Sequence, residues 1–272
     1  MYIHDSHVHT KYSFDGPKDI NGEIDTIIET AIARGVNEIS LCDHCDIDDI
    51  LDGIYPLFEA DVIKTDILRA KEKYKGKIQI NYGVELGQAH ARRDEAVELI
   101  GKQGFDFIIA SLHNLRGYPD FAFLKMDIMC DEQIEYLMKR TFSELSELVD
   151  FGCFGALAHI TYIQRYLTLC GRTFDHAKYA DDFEMIFKKL ISSGTALEIN
   201  TSGLRRNSIT MPGYELCAMY RQCGGELITI GSDSHGAADV ACGIEEAAAE
   251  LRRLGFKSQT VVRDGKLTQI EL

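Results

Sequence analysis

No stretch of this sequence approaches the run of about 20 apolar residues that a membrane-spanning helix needs, so no helical span is expected. No Gly-x-Gly-x-x-Gly or Walker-type loop follows any apolar run, which removes support for a nucleotide-binding open sheet. Positive charge is scarce: 29 Lys and Arg stand against 43 Asp and Glu, a formal net charge of −14. The basic residues are dispersed, with Arg92-Arg93, Arg205-Arg206 and Arg252-Arg253 as isolated pairs. Such a surface argues against a polynucleotide partner, since gripping that backbone calls for a basic stripe. It leaves room for a small anionic substrate held by one or two local arginines. The N-terminus lacks the basic and apolar regions of a secretory signal, and the expected compartment is the cytoplasm.

The eight cysteines lack the dense spacing of a disulfide scaffold and read as free thiols. Cys42 and Cys45 form a C-x-x-C, but a structural zinc site needs a second close pair. Cys217 and Cys223 are too widely spaced to supply it. The pair also closes an apolar run, where a thioredoxin-like site opens a helix. Both cysteines are expected to be bystanders flanking His44.

What the chain does have is alternation. Apolar runs recur at Tyr2-Ile3, 38–42, 78–84, 105–110, 153–158, 196–199 and 227–231. Helix-like periodicity falls between them, first over Ile24 to Ile32 with Gly35 as a plausible end, then near 60–75, 90–103, 131–150, 180–193, 212–223 and 241–254. Strands alternating with helices predict a parallel sheet. Seven units in 272 residues predict an α/β fold: a distorted seven-stranded (β/α)7 TIM-like barrel, one domain over residues 1–272. There is no linker, repeat or low-complexity tract. The tail from Gln259 to Ile270 reads as a hairpin on an Asp264-Gly265 turn.

Chemistry gathers where the runs end. His7 and His9 share a face of an extended chain, with Asp15 close behind. The second run ends in Asp43-His44, the third in Glu85, the fourth in His113 and the fifth in His159; the seventh leads to Asp233 and His235. The sixth carries Glu198 and leads into Asn200. In a β/α barrel these ends converge on one face. Nine candidate ligands exceed the needs of one ion, so a cluster of two or three divalent ions is expected, bridged by carboxylates. His4 and His90 fall outside the pattern as solvent or packing residues, and His176 is undecided.

The motifs His7-Val8-His9-Thr10, Asp15-Gly16, Asp43-His44, Gly83-Val84-Glu85, Ser111-Leu112-His113, Ala158-His159 and Asp233-Ser234-His235 follow one another in the order of the polymerase and histidinol phosphatase (PHP) superfamily, which the chain resembles. Chain length and the stretch from Glu198 to Arg205 resemble its stand-alone histidinol-phosphate phosphatases. The resemblance implies a trinuclear site. His7, His9, Glu85 and Asp233 would hold one metal; Glu85 would bridge to a second held by His113 and His159; Asp15, His44 and His235 would hold a third. Asp15 stands where many relatives have histidine, which makes the third site harder. Thr161 stands where relatives often have an acidic residue.

The expected activity is hydrolysis of a phosphomonoester, histidinol phosphate by resemblance, with in-line attack by a metal-bridging hydroxide. Glu85 and Asp233 carry the catalytic metals, and Asp43 or a metal-held water protonates the leaving group. Arg165 and Arg205 are expected to hold the substrate phosphate, with Arg116 and Arg206 as competitors. Segments 45–60, 114–130 and 160–178 are candidate pocket walls. The ions are zinc, manganese or iron, and the partner is a small phosphorylated metabolite; the sequence is silent on oligomeric state. Other readings are a relative acting on another phosphomonoester, phosphotyrosine or a nucleotide, a nuclease, an amidohydrolase and a non-catalytic regulator. The amidohydrolase wants a lysine where Glu85 stands, and a decayed regulator would not retain all nine ligand positions.

Overall fold

The computed structural model describes residues 1–205, 208–263 and 266–272. Its strands are β1 (His4–Val8), β2 (Glu38–Leu41), β3 (His44–Asp46), β4 (Gln79–Gly87), β5 (Phe107–Ser111), β6 (Ala156–Leu157), β7 (Ala196–Asn200), β8 (Ile228–Gly231), β9 (Ser258–Arg263) and β10 (Lys266–Glu271). Its α-helices are α1 (Ile24–Ala33), α2 (Ile47–Leu51), α3 (Ala60–Lys73), α4 (Arg93–Gln103), α5 (Asp131–Phe151), α6 (Tyr162–Leu169), α7 (Ala180–Ser193), α8 (Tyr214–Gln222) and α9 (Ile244–Arg253).

The apolar runs supply β1, β2, β4, β5, β6, β7 and β8, which lie side by side in that order, all parallel. The ring nearly closes where β8 comes back to β1. Val8 bridges Ser234 in parallel; the Asp233 N–H donates to the His7 carbonyl and the His9 N–H to that of Ser234, each at 2.8 Å. Asp5 strengthens this seam by accepting from Ser232 N (2.8 Å), Ser232 Oγ (2.6 Å) and Ala241 N (2.7 Å). The expected barrel is present.

Two differences from the expected strands matter for the site. β1 starts at His4, beyond the Tyr2-Ile3 run, so it is built from the chemistry-bearing residues themselves; all five are buried. β4 runs on to Gly87, which puts Glu85 inside a strand, and the extra strand β3 pairs there, His44 opposite Glu85. Continuous apolar character marks the buried parts of a parallel sheet and misses polar residues that stay in the ladder.

The helices cover the ring by their apolar stripes. In α5 the stripe is Leu137, Thr141, Phe142, Leu145, Leu148 and Val149, all buried. Gly152 follows with φ of +68°, a conformation open to glycine, and ends the helix. At the end of the ring opposite the site, β9 and β10 pair antiparallel as the expected hairpin; the Asp264-Gly265 turn lies outside the described residues. Arg263 on β9 reaches Glu38 Oε2 at 2.7 Å. Glu38, fully buried, also accepts from Tyr2 Oη (2.9 Å) and Asn81 Nδ2 (2.8 Å). His4 packs beside them, its Nε2 3.0 Å from Ser40 Oγ.

All eight cysteines are free, and Cys42 and Cys45 are buried. No helix among the described residues is long and apolar enough to cross a membrane.

Candidate metal centre

Parallel strands deliver their last residues to one end of the ring, and there six imidazoles stand together. Ring centroids lie 4.9 Å apart for His7 and His9, 4.3 Å for His9 and His44, 4.1 Å for His9 and His235, and 5.2 Å for His113 and His159. All are buried or nearly so except His235, whose side chain is 31% exposed. Glu85 sits between them. Its Oε2 is 3.3 Å from His7 Nε2, 3.5 Å from His9 Nε2 and 2.8 Å from His44 Nδ1. Its Oε1 is 3.1 Å from His113 Nε2 and 2.8 Å from His159 Nε2. Asp233 Oδ1 lies 3.3 Å from His9 Nε2. At the rim, Asp15 approaches His235 Nε2 at 3.0 Å and His44 Nε2 at 3.7 Å. The nine residues singled out as ligands are therefore together.

A second layer decides which nitrogen each imidazole turns inward. His7 Nδ1 meets Glu198 Oε1 at 2.7 Å, His113 Nδ1 meets Asp46 Oδ1 at 2.6 Å, and His9 Nδ1 meets Ser13 Oγ at 2.9 Å. With the proton on Nδ1 held by a carboxylate, Nε2 presents a lone pair. His7 Nε2 and His9 Nε2 then face each other at 3.0 Å, a spacing that suits two lone pairs turned to one cation and that, without metal, a protonated His7 donating to His9 also satisfies.

Two glycines make room for this layer. A Cβ on Gly231 would lie 2.5 Å from His7 Cβ and 2.7 Å from Glu198 Oε1, and one on Gly87 would lie 2.3 Å from Asp46 Oδ1. All three distances are far inside van der Waals contact, so the carboxylates occupy the space these glycines leave. Sequence reading missed Asp46 and Glu198 in this role. Alternation along β3 and β7 was the available signal.

The donor set suits divalent metal. Ligands 2.0–2.2 Å from one tetrahedral ion stand roughly 3.3 Å from each other; the His7–His9, His7–Glu85, His9–Glu85 and His9–Asp233 edges run from 3.0 to 3.5 Å. Glu85 Oε2 and His44 Nδ1, though 2.8 Å apart, are not aligned to hydrogen-bond, and His159 Nδ1 is buried with no partner among the described residues. The His9–His44–His235, His7–His9–Glu85 and His44–Glu85–His113 triplets each bring their ligand atoms within 4.8 Å of one another.

Electrostatics agree. Burial opposes a charge on His7, yet the Glu198 and Glu85 charges hold its pKa well above the usual 6.5. His9 goes the other way, to about 3, through burial and the charges of His235 and His44. Glu85 and Asp233 resist burial and are held well below the usual carboxylate range by the surrounding imidazoles. Two ligands also sit on left-handed backbone, His159 at φ +25° and Asp233 at φ +50°, strain that persists where surrounding bonds impose it. The His159 N–H donates to Glu198 Oε2 at 3.1 Å.

Three expectations change. Asp43 does not face the cup: its carboxylate accepts from Thr10 N (2.6 Å), Thr10 Oγ1 (2.8 Å) and Ser13 Oγ (2.9 Å), fixing the turn after β1. It is a positioning residue, too fully bonded to protonate a leaving group. Arg205 is spent on the chain, donating to the carbonyls of Ser232 (2.8 Å) and Asp233 (3.1 Å), and so braces the Asp233 turn. Arg116 turns to Glu147 and the His90 carbonyl, outside the cup. Arg206 lies outside the described residues.

Arg165 does line the cup. It donates to Ser202 Oγ at 2.6 Å, and its Nε is buried without a hydrogen-bond partner among the described residues. The cup is a cavity of about 340 Å³ walled by Phe14, Tyr55, Asp120, Phe123, Tyr162 and Tyr166 among others, side chains from all three segments expected to form walls. His90 is buried against Glu144 Oε2 (3.1 Å), and His176 faces Glu215 Oε1 (2.8 Å); neither reaches the cup.

Residues 5–202 match the family model of the PHP domain. The chain belongs to the PHP domain family. A Thermotoga maritima protein named "Probable histidinol-phosphatase" is 28% identical over 262 residues, covering 96% of each chain. Histidinol-phosphatase of Lactococcus lactis is 28% identical over 258 residues, 93% of this chain and 91% of that one. A crystal structure of the Lactococcus lactis histidinol phosphate phosphatase, complexed with zinc, L-histidinol and phosphate, superimposes with a TM-score of 0.82 at 24% identity, covering 98% of both chains. The matched span of the PHP domain ends at Ser202; Asp233 and His235 join it through the β8–β1 seam.

Proposed function

We propose that this PHP domain is a metal-dependent phosphomonoesterase whose substrate is histidinol phosphate, acting as a single catalytic domain in the cytoplasm. The observation that carries the metal dependence is the convergence of five imidazoles, those of His7, His9, His44, His113 and His159, on the two oxygens of Glu85 at 2.8–3.5 Å. The substrate follows from full-length similarity to histidinol phosphatases.

In this reading His7, His9, Glu85 and Asp233 would hold one ion, Glu85 with His113 and His159 a second, and Asp15, His44 and His235 a third. Bound divalent ions supply Lewis acidity toward the phosphoryl oxygens and lower the pKa of water to near neutrality. The chain does the rest. Glu198 and Asp46 hold His7 and His113 in the tautomer that leaves Nε2 free, and Ser13 steadies His9. Arg165 presents its Nε to the phosphate of a bound ester, a charge-assisted contact that orients phosphorus over the cluster. Tyr162 and Phe14 limit water around the leaving alcohol. Water adds to phosphorus, the ester P–O bond breaks, and the alcohol departs with a proton.

The test is phosphate release from a panel of phosphorylated metabolites, histidinol phosphate included, by chelated protein resupplied with zinc, manganese or iron(II). Metal-dependent release with the highest kcat/KM for histidinol phosphate is the expected result. Ammonia release without phosphate would point to the amidohydrolase reading instead.

A further inference from the structure

The cavity is electrically lopsided. Arg165 lies on one side of Tyr162, its Cζ 5.4 Å from the ring centroid. Asp120 lies on the other, Oδ1 3.5 Å from the Tyr162 hydroxyl. The Tyr162 ring itself rests against the metal-facing imidazoles, 5.1 Å from His113 and 5.2 Å from His159. Asp120, at the hydroxyl end of Tyr162, therefore lines the same cavity as those two imidazoles and Arg165.

Asp120 is 8% exposed, yet it is only half satisfied. Its Oδ1 accepts from Ala122 N at 2.7 Å and ends the loop as a turn cap. Among the described residues, Oδ2 receives no hydrogen bond and the carboxylate has no cationic partner. Oδ2 is open to the cavity that Asp120 lines, where an incoming cation can pair with it.

Asp49, 5% exposed and likewise without an ion pair among the described residues, lies close enough that the Asp120 charge, after burial and the charges of Asp48 and Asp46, helps push it up to about 7. The cavity also carries aromatic surfaces. Phe14 and Tyr55 stack at 4.0 Å with 10° between planes, and Phe123 is 66% exposed at the mouth. Aromatic faces add attraction for a cation or a flat ring.

We infer that Asp120 is a specificity-determining residue that selects phosphomonoesters whose alcohol carries a positive charge, pairing with that charge through Oδ2. The inference rests on the phosphatase reading above and extends it to the far end of the substrate. A dipolar cavity of this kind takes a zwitterionic ester lengthwise, phosphate toward Arg165 and the cluster, cation toward Asp120. Neutral esters gain nothing at the acidic end, and esters with an anionic alcohol are repelled there.

The experiment compares metal-loaded wild type, Asp120→Asn and Asp120→Ser on histidinol phosphate and on phenyl phosphate. Both replacements can still accept the Ala122 N–H bond, so the loop keeps its cap. The readout is the ratio of kcat/KM between the two esters, accompanied by calorimetric binding of free histidinol. Both variants are expected to lower the ratio roughly 10- to 100-fold, the worth of a hydrogen bond to a charged partner, and to weaken histidinol binding by a similar factor. An unchanged ratio, with both esters slowed alike or neither slowed, overturns the inference. Failure of the phosphatase reading looks different: wild type would release phosphate from neither ester.

Discussion

The Glu198 carboxylate lies 2.7 Å from Nδ1 of His7 although 191 residues separate them in the chain. Its other oxygen accepts the backbone N–H of His159 at 3.1 Å and the Asn200 amide at 3.2 Å. One side chain on β7 thus fixes a candidate ligand on β1 and the strained backbone of another after β6, from behind in each case.

Glu198→Gln is therefore expected to weaken metal binding 10- to 100-fold, the usual effect of losing such a partner. Competition with a chromophoric chelator measures it. Gly231→Ala should reproduce the loss, since the added Cβ meets both His7 and Glu198; an unaltered affinity in both variants would refute the assignment.

Metal should displace protons. In the metal-free protein, burial opposes charge on His7, His44 and His113, but adjacent carboxylates raise all three well above 6.5. A raised folded-state pKa contributes stability in full below the unfolded value and loses it as pH rises through the folded value. Chelated protein should consequently lose thermal stability as pH climbs above 6.5. Metal-loaded protein should not share that loss. Scanning calorimetry of both forms reads the difference, and titrations in buffers of different ionisation enthalpy should show net proton release on metal binding near pH 7.

The two arginines should separate in assays. Arg165→Ala is expected to raise KM for the phosphate ester at least tenfold, with metal content retained. Arg205→Ala should instead destabilise the fold by about 1–3 kcal/mol, through the two carbonyls it leaves unpaired, and lower metal occupancy. Steady-state kinetics, metal analysis and denaturant melts on both variants check the split.

At the opposite end of the ring, Arg263→Ala removes one of three partners of the buried Glu38 carboxylate. Because Arg263 is itself 35% exposed, the expected cost is about 2 kcal/mol, below the full penalty of stranding a buried charge. Glu38→Gln combined with Arg263→Ala should cost less than the two single changes summed, and kcat should be unaffected by Arg263→Ala alone.

Much of this was readable from residue order. Strand and helix alternation predicts the barrel because periodicity survives without knowledge of contacts, and the polar residue closing each apolar run predicts the cup. Direction was harder to read. Asp43 and His44 are neighbours at one strand end, yet His44 turns inward while Asp43 binds Thr10 and Ser13. Neighbouring residues on extended chain point oppositely, but which parity faces in depends on the twist of a bulged ladder. Arg205 looked like a phosphate ligand because it follows a strand on the correct face. Only the folded β8 turn reveals two carbonyls placed to absorb it. Asp120 lies in a segment without periodicity, where spacing carries no positional information.

The seam between β1 and β8 has a consequence for the order in which the protein becomes competent. Asp5 and Ser232 are joined across 227 residues of chain, and Asp233 and His235 arrive with the last parallel strand. During synthesis the first histidines emerge long before these partners, and domains complete their folding only when the needed segments are available. A nascent chain halted before β8 would hold an incomplete cup, with Gly231, Asp233 and Arg205's two carbonyls all missing. Full metal loading thus becomes a checkpoint that only a finished barrel passes.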